Sequence, residues 1–152
     1  MTIYLGADHR GFGAKQDLLS WLGKEAGYNV IDCGALTYDI QDDFPDYAFV
    51  VADAVAADPE ARGIILCGTG TGIMIAANKI NDIRCGFAAS SEIVKASREH
   101  DNINMLAASA DFTEPEKLHE MVDLFLKTEF LKEDRLVRRL KKIASREGVS
   151  KQ

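Results

Sequence analysis

The segment Gly63-Ile64-Ile65-Leu66-Cys67, followed at once by Gly68-Thr69-Gly70-Thr71-Gly72, restricts the fold more than any other part of the chain. An unbroken apolar run of this length fits a strand buried on both faces, as in parallel sheets. Glycines directly after it allow a tight turn, and the Ile73–Lys79 stretch then has helical character. A strand feeding a helix through a short turn is the building unit of an α/β protein.

The rest of the chain repeats the unit. Ile3-Tyr4-Leu5-Gly6-Ala7 predicts a first strand, and Ala14, Leu18, Trp21 and Leu22 recur at helical spacing after it. Gly27 is the expected end of that helix, and Tyr28-Asn29-Val30-Ile31 begins a second strand. A loop over 33–43 leads to a helix with Asp43 as N-cap and Pro45 in its first turn. Arg84-Cys85-Gly86-Phe87-Ala88 predicts a fourth strand, with Ser90 or Ser91 capping the helix that follows, and Asn104-Met105-Leu106-Ala107-Ala108 a fifth. Thr113-x-x-Glu116 reads as a capping box before a helix over 118–130, and a last amphipathic helix runs over about 133–147. With no repeat or linker, residues 1–152 form one α/β domain around a five-stranded parallel sheet covered on both faces.

Such sheets bind ligands at the carboxyl ends of their strands, and chemistry-bearing residues gather near three strands. Asp8-His9 follows the first, Cys67 and its glycines end the third, and His100-Asp101-Asn102 precedes the fifth. The glycine turn is not a Walker A loop, because no Gly-Lys-Ser/Thr follows, nor a dinucleotide fingerprint, because Ile73 stands where the last glycine belongs. What remains is a thiol beside backbone amides at a helix start, a setting for an anion nest. The same setting is expected to lower the thiol pKa, making Cys67 a nucleophile or a general base; the bland alternative is a strand-end cysteine and a tight turn. Asp8-His9 fits an acid–base pair, a phosphate contact or an ordinary surface pair. His100 closes a helix, where a cationic imidazole is favoured by the dipole anyway. His119 falls on the polar side of its helix and reads as solvated. Arg135 and Arg139, four apart, share one helix face, which suits either a phosphate clamp or a solvated basic surface.

The net charge of −6 counts against a nucleic-acid surface, although Lys132, Arg135, Arg138, Arg139, Lys141, Lys142, Arg146 and Lys151 crowd the C-terminal region; a small anion is the better partner. Three cysteines, Cys33, Cys67 and Cys85, give neither a disulfide framework nor a zinc pattern. No run approaches the roughly 18–20 apolar residues of a membrane span, and the chain opens on a strand rather than a signal peptide. A cytoplasmic, membrane-free protein is expected.

Taken together, these segments resemble the ribose-5-phosphate isomerase B / galactose-6-phosphate isomerase family, closest to the former. The resemblance spans nearly the whole chain: Gly6-Ala7-Asp8-His9, Asp43-Phe44-Pro45-Asp46-Tyr47-Ala48, Leu66 through Ile73, Ala76-Ala77-Asn78-Lys79, Ser97-Arg98-Glu99-His100 with Asn104, and Arg135-x-x-x-Arg139. It implies a Rossmann-like three-layer α/β/α sandwich and a homodimer, sometimes paired into tetramers, with sites shared between subunits and the last helix at the interface. The implied reaction interconverts an aldose and a ketose phosphate without metal or cofactor. Cys67 would move the proton, Gly68, Gly70, Thr71 and Gly72 would line the anion hole, and His100 would assist ring opening beside Asp8 and Thr69. His9, Arg135 and Arg139 would hold the phosphate, with His100 and Asp101 reaching across from the neighbouring chain. Four positions depart from the family pattern: Asp101 for Asn, Asp111 for an arginine after the fifth strand, Phe44 for Tyr, and Glu133-Asp134-Arg135-Leu136 for Gly-Gly-Arg-His. The alternatives left open are another sugar phosphate, a hexose among them, and a non-catalytic sugar-phosphate-binding paralogue.

Overall fold

The computed structural model describes residues 1–24 and 28–148. Gly27, the expected helix stop, and Lys151 of the basic stretch lie outside them. Five strands alternate with helices: β1 (Thr2–Ala7), α1 (Phe12–Leu22), β2 (Asn29–Asp32), α2 (Phe44–Ala57), β3 (Arg62–Cys67), α3 (Thr71–Ala77), β4 (Cys85–Phe87), α4 (Ser91–Asp101), β5 (Met105–Ser109), α5 (Pro115–Lys127) and α6 (Asp134–Ala144). All strand pairs are parallel, in the order β2-β1-β3-β5-β4.

Alternation along each strand sorts side chains to the two faces of the sheet. Ile64 and Leu66 of β3 join Leu18, Leu22, Val94, Leu118, Val122 and Phe125 in one core, beneath α1, α4 and α5. Ile65 and Cys67 point the other way and pack with Ala48, Val51, Val55, Ile73 and Ala77 of α2 and α3. These are the three expected layers, with Cys67 on the α2/α3 side.

Helix starts follow local chemistry, with two differences from expectation. Ser90 caps α4, its Oγ accepting from the Ile93 amide at 3.3 Å. Asp43 is the N-cap of α2 by backbone conformation, but its side chain makes no capping bond. The Thr113/Glu116 box does not form: Pro115 takes the first helical position, Glu114 becomes the N-cap, and Glu116 is left out of register. α6 is shorter than expected. Its Glu133 binds the Arg135 guanidinium at 2.7 Å rather than capping the helix. Leu136, where the family pattern has His, is buried.

The chain leaves β1 to place β2 on one side, then crosses over so that β3 lies on the other. The carboxyl ends of β1 and β3 therefore flank the point where strand order reverses, with Ala7 opposite Leu66. A crevice forms at such a point, and the residues leaving it are Asp8-His9-Arg10 and Cys67-Gly68-Thr69.

Candidate active site

Cys67 ends β3 only 5% exposed, and the Gly70 amide donates to its Sγ at 3.2 Å. That bond requires the turn to reverse sharply, and Gly70 does so at φ +77°, a left-handed conformation that suits glycine. A Cβ at Gly70 would lie 2.8 Å from the Ala108 carbonyl oxygen and 2.6 Å from Phe87. β5 braces the turn: Ser109 Oγ donates to the Gly68 carbonyl at 2.7 Å, and the Ala110 and Asp111 amides donate to the Cys67 and Gly68 carbonyls. Burial pushes Cys85 up to about 12, and burial with the Asp32 charge raises Cys33.

From β1 comes a second group. Asp8 is buried and its Oδ1 accepts from the Gly11 amide at 2.9 Å. Burial raises its pKa above the ordinary carboxylate value, against the pull of that amide and of His9. His9 is tied to the loop after β2: its amide and its Nδ1 both meet Asp42 Oδ1, at 3.0 and 2.6 Å. Burial would raise Asp42, but the His9 amide and ring and the Tyr47 phenol outweigh it, so its carboxyl lies below the usual range. Tyr47 is raised in turn, by burial and then by Asp42. With Nδ1 so engaged, Nε2 is the ring atom left for a ligand.

Between these groups lies a cavity of about 380 Å³ lined by Asp8, His9, Arg10, Asp42, Phe44, Cys67, Gly68, Thr69 and Gly72, among others. Phe44 closes one wall, and a Cβ on Gly72 would strike its ring at 2.8 Å. Ligand atoms of Asp8, His9 and Asp42 lie within 4.8 Å of one another. Two of them already share the 2.6 Å bond, which a cation there would have to break.

The structure thus brings Asp8, His9, Cys67, Gly68, Thr69 and Gly72 together. Gly70 shapes the turn from behind, and Thr71 is exposed at the first position of α3. His100 and Asp101 are elsewhere. α4 starts beside the carboxyl end of β4 and runs back against the strand direction, leaving both exposed at the sheet's opposite edge. Arg135 and Arg139 are exposed on α6, which packs against α4 of the same chain. His119, expected to be solvated, instead stacks on Trp21 at 4.5 Å between ring centres and meets Asp17 at 2.6 Å, because α1 and α5 lie side by side. Arg10, Asp42 and Ser109 were not singled out from the sequence. Arg10 stands next to His9, which was the available signal; nothing local marks the other two.

The fold and this constellation define an α/β protein with a candidate site where a thiol, a histidine and an aspartate line one cavity at the strand ends. A family model described as Ribose/Galactose Isomerase matches residues 3–143. The ribose-5-phosphate isomerase B of Mycolicibacterium paratuberculosis is 38% identical over 147 residues, covering 97% of this chain and 92% of that one. That of Mycobacterium tuberculosis is 39% identical over the same length, covering 97% and 90%. Among solved structures, Clostridium thermocellum ribose-5-phosphate isomerase B has a TM-score of 0.89 at 39% identity, covering 95% of this chain and 96% of that one. The Mycoplasma genitalium enzyme, with bound ribulose-5-phosphate, has a TM-score of 0.91 at 36% identity, covering 98% and 97%. This chain belongs to the ribose/galactose isomerase family.

Proposed function

We propose that this chain interconverts ribose 5-phosphate and ribulose 5-phosphate through an enediolate, with Cys67 carrying the proton between C2 and C1. The observation that supports this best is the buried Cys67 Sγ, held by the Gly70 amide in the same cavity as Asp8 and His9. Abstracting a proton next to a carbonyl needs a base that is partly unprotonated at working pH and dry enough to act. Amides at the head of α3 would face the developing oxyanion. Thr69 and Asp8 would meet the sugar near the ring oxygen, and His9 Nε2 would meet the phosphate.

The working form in this reading is a cytoplasmic homodimer. His100 and Asp101, at the amino edge of one sheet, would complete the cavity at the carboxyl edge of its partner. Because α6 packs on α4, the copy that brings His100 also brings Arg135 and Arg139 to the phosphate.

The test is ribose 5-phosphate turnover by the purified protein and by Cys67→Ala. Removing a positioned base is expected to cost about 10²–10⁴-fold in kcat with the fold retained. Full activity in Cys67→Ala would remove the base assignment. Asp101, in place of the family's Asn, favours a second reading in which the sugar differs; preference for a hexose phosphate across a substrate panel would select it.

A further inference from the structure

We infer that Arg10 is a phosphate-binding residue of this site, supplied by the same chain as Cys67 and held in place by Asp111. The inference rests on the sugar-phosphate reading above for the identity of the ligand, though not for its charge. Arg10 directly follows His9 in the loop after β1 and lines the same cavity. Its guanidinium lies so close over Gly68 that even a methyl group on that glycine would collide with it. One nitrogen, Nη2, pairs with Asp111 Oδ2. Asp111 is itself fixed to the turn, its amide donating to the Gly68 carbonyl at 3.1 Å. The guanidinium is therefore clamped from the loop after β5 across the mouth of the glycine turn. A guanidinium carries five N–H donors in a planar fork, which leaves most of them for a ligand.

Charge makes the position matter. Asp8, Asp42 and Asp43 line the cavity, so a dianionic phosphate entering it meets carboxylates. His9 is cationic only when protonated. Arg10 is the one arginine or lysine side chain that lines the cavity among the described residues. Arg135 and Arg139 lie on α6, outside this cavity of their own chain. Asp111, which by the family pattern replaces an arginine, thus does not repel the substrate; it orients a guanidinium that comes from the opposite wall.

The experiment measures two things for the wild type, Arg10→Ala, Arg10→Lys, Asp111→Asn and the Arg10→Ala/Asp111→Asn double variant. These are calorimetric binding of inorganic phosphate, and KM and kcat for ribose 5-phosphate. Arg10→Ala is expected to weaken phosphate binding and raise KM by about tenfold or more, with kcat within about threefold, and Arg10→Lys to recover part of the loss. Asp111→Asn is expected to shift KM in the wild type and to have no effect once Arg10 is gone, as befits a positioning residue. Unchanged phosphate binding and KM in Arg10→Ala would overturn the inference, as would a loss confined to kcat. An Asp111→Asn effect that persists without Arg10 would overturn the positioning role. If Arg10→Ala fails to fold by circular dichroism, Arg10→Lys and Arg10→Gln carry the comparison. Arg10-dependent phosphate binding without pentose turnover would sink the ribose 5-phosphate reading alone. Turnover with Arg10-independent phosphate binding would sink this inference alone.

Discussion

Asp8 shows how burial and charge conflict at one residue. Its carboxylate is 4% exposed, and the Gly11 amide compensates only part of the lost hydration, so its folded pKa is raised. A raised carboxyl pKa means that the folded chain holds the proton more tightly than the unfolded chain. Stability is then highest below the unfolded value of about 3.9, falls as pH rises through the window up to the folded value, and stays reduced above it. Asp8→Asn keeps an acceptor for the Gly11 amide and removes the charge. It should therefore raise the melting temperature at pH 7–8, and the gain should shrink as pH is lowered toward 4. Thermal melts of both proteins across that range check this; an Asn variant less stable at pH 8 would mean that the charged hydrogen bond outweighs burial. The sequence pointed to Asp8, His9 and Cys67 because each directly follows or ends an apolar strand. It did not point to Asp42 or to the Arg10–Asp111 pair. Those partners are 33 and 101 residues apart, and only the finished sheet brings them together.

At the scale of elements, the turn from β3 into α3 couples stability to the site. Gly70→Ala places a side chain at a positive φ and a Cβ 2.8 Å from the Ala108 carbonyl oxygen. Backbone strain and the forced shift together should cost roughly 2–4 kcal/mol. For a domain of this size that is a fall in melting temperature of about 5–15 °C. Activity should fall as well, because the Gly70 amide can no longer sit against Cys67 Sγ. Gly13→Ala is the control: Gly13 lies in α1 with nothing within 4 Å of an added Cβ, so stability should hold or rise by up to ~1 kcal/mol. A Gly70→Ala protein with wild-type melting and turnover would show that the turn has another way to close. Strand and helix positions were legible here because apolar runs and 3.6-residue spacing are local. Helix ends were less so. Pro115 moves the N-cap from the expected Thr113 to Glu114, with no capping box, and α6 stops at Ala144, short of the Glu147 read from its amphipathic pattern.

The whole molecule sets the proposed residues at opposite edges of one sheet. Cys67 leaves the carboxyl edge, while His100 ends a helix that has returned to the amino edge. No rearrangement within a parallel sheet brings these edges together, but a two-fold axis can lay the amino edge of one copy on the carboxyl edge of another. Beside the cavity, Tyr38 is 62% exposed with its ring 6.1 Å from His9, an apolar surface that a second copy could cover. The sequence carried no geometric sign of this, since nothing in strand or helix patterning says which edge a second chain will meet. If each site takes Cys67 from one subunit and His100 from the other, two inactive variants can repair one another. In a heterodimer of Cys67→Ala with His100→Ala, one site receives both wild-type residues and the other receives neither. Random reassortment of equal amounts makes half the dimers mixed, each with one working site of two, so about one quarter of wild-type activity should return. Co-refolding the two variants and measuring ribose 5-phosphate turnover against each alone checks this. Activity no greater than the average of the separate variants would place Cys67 and His100 in independent sites, and the shared cavity would have to be abandoned.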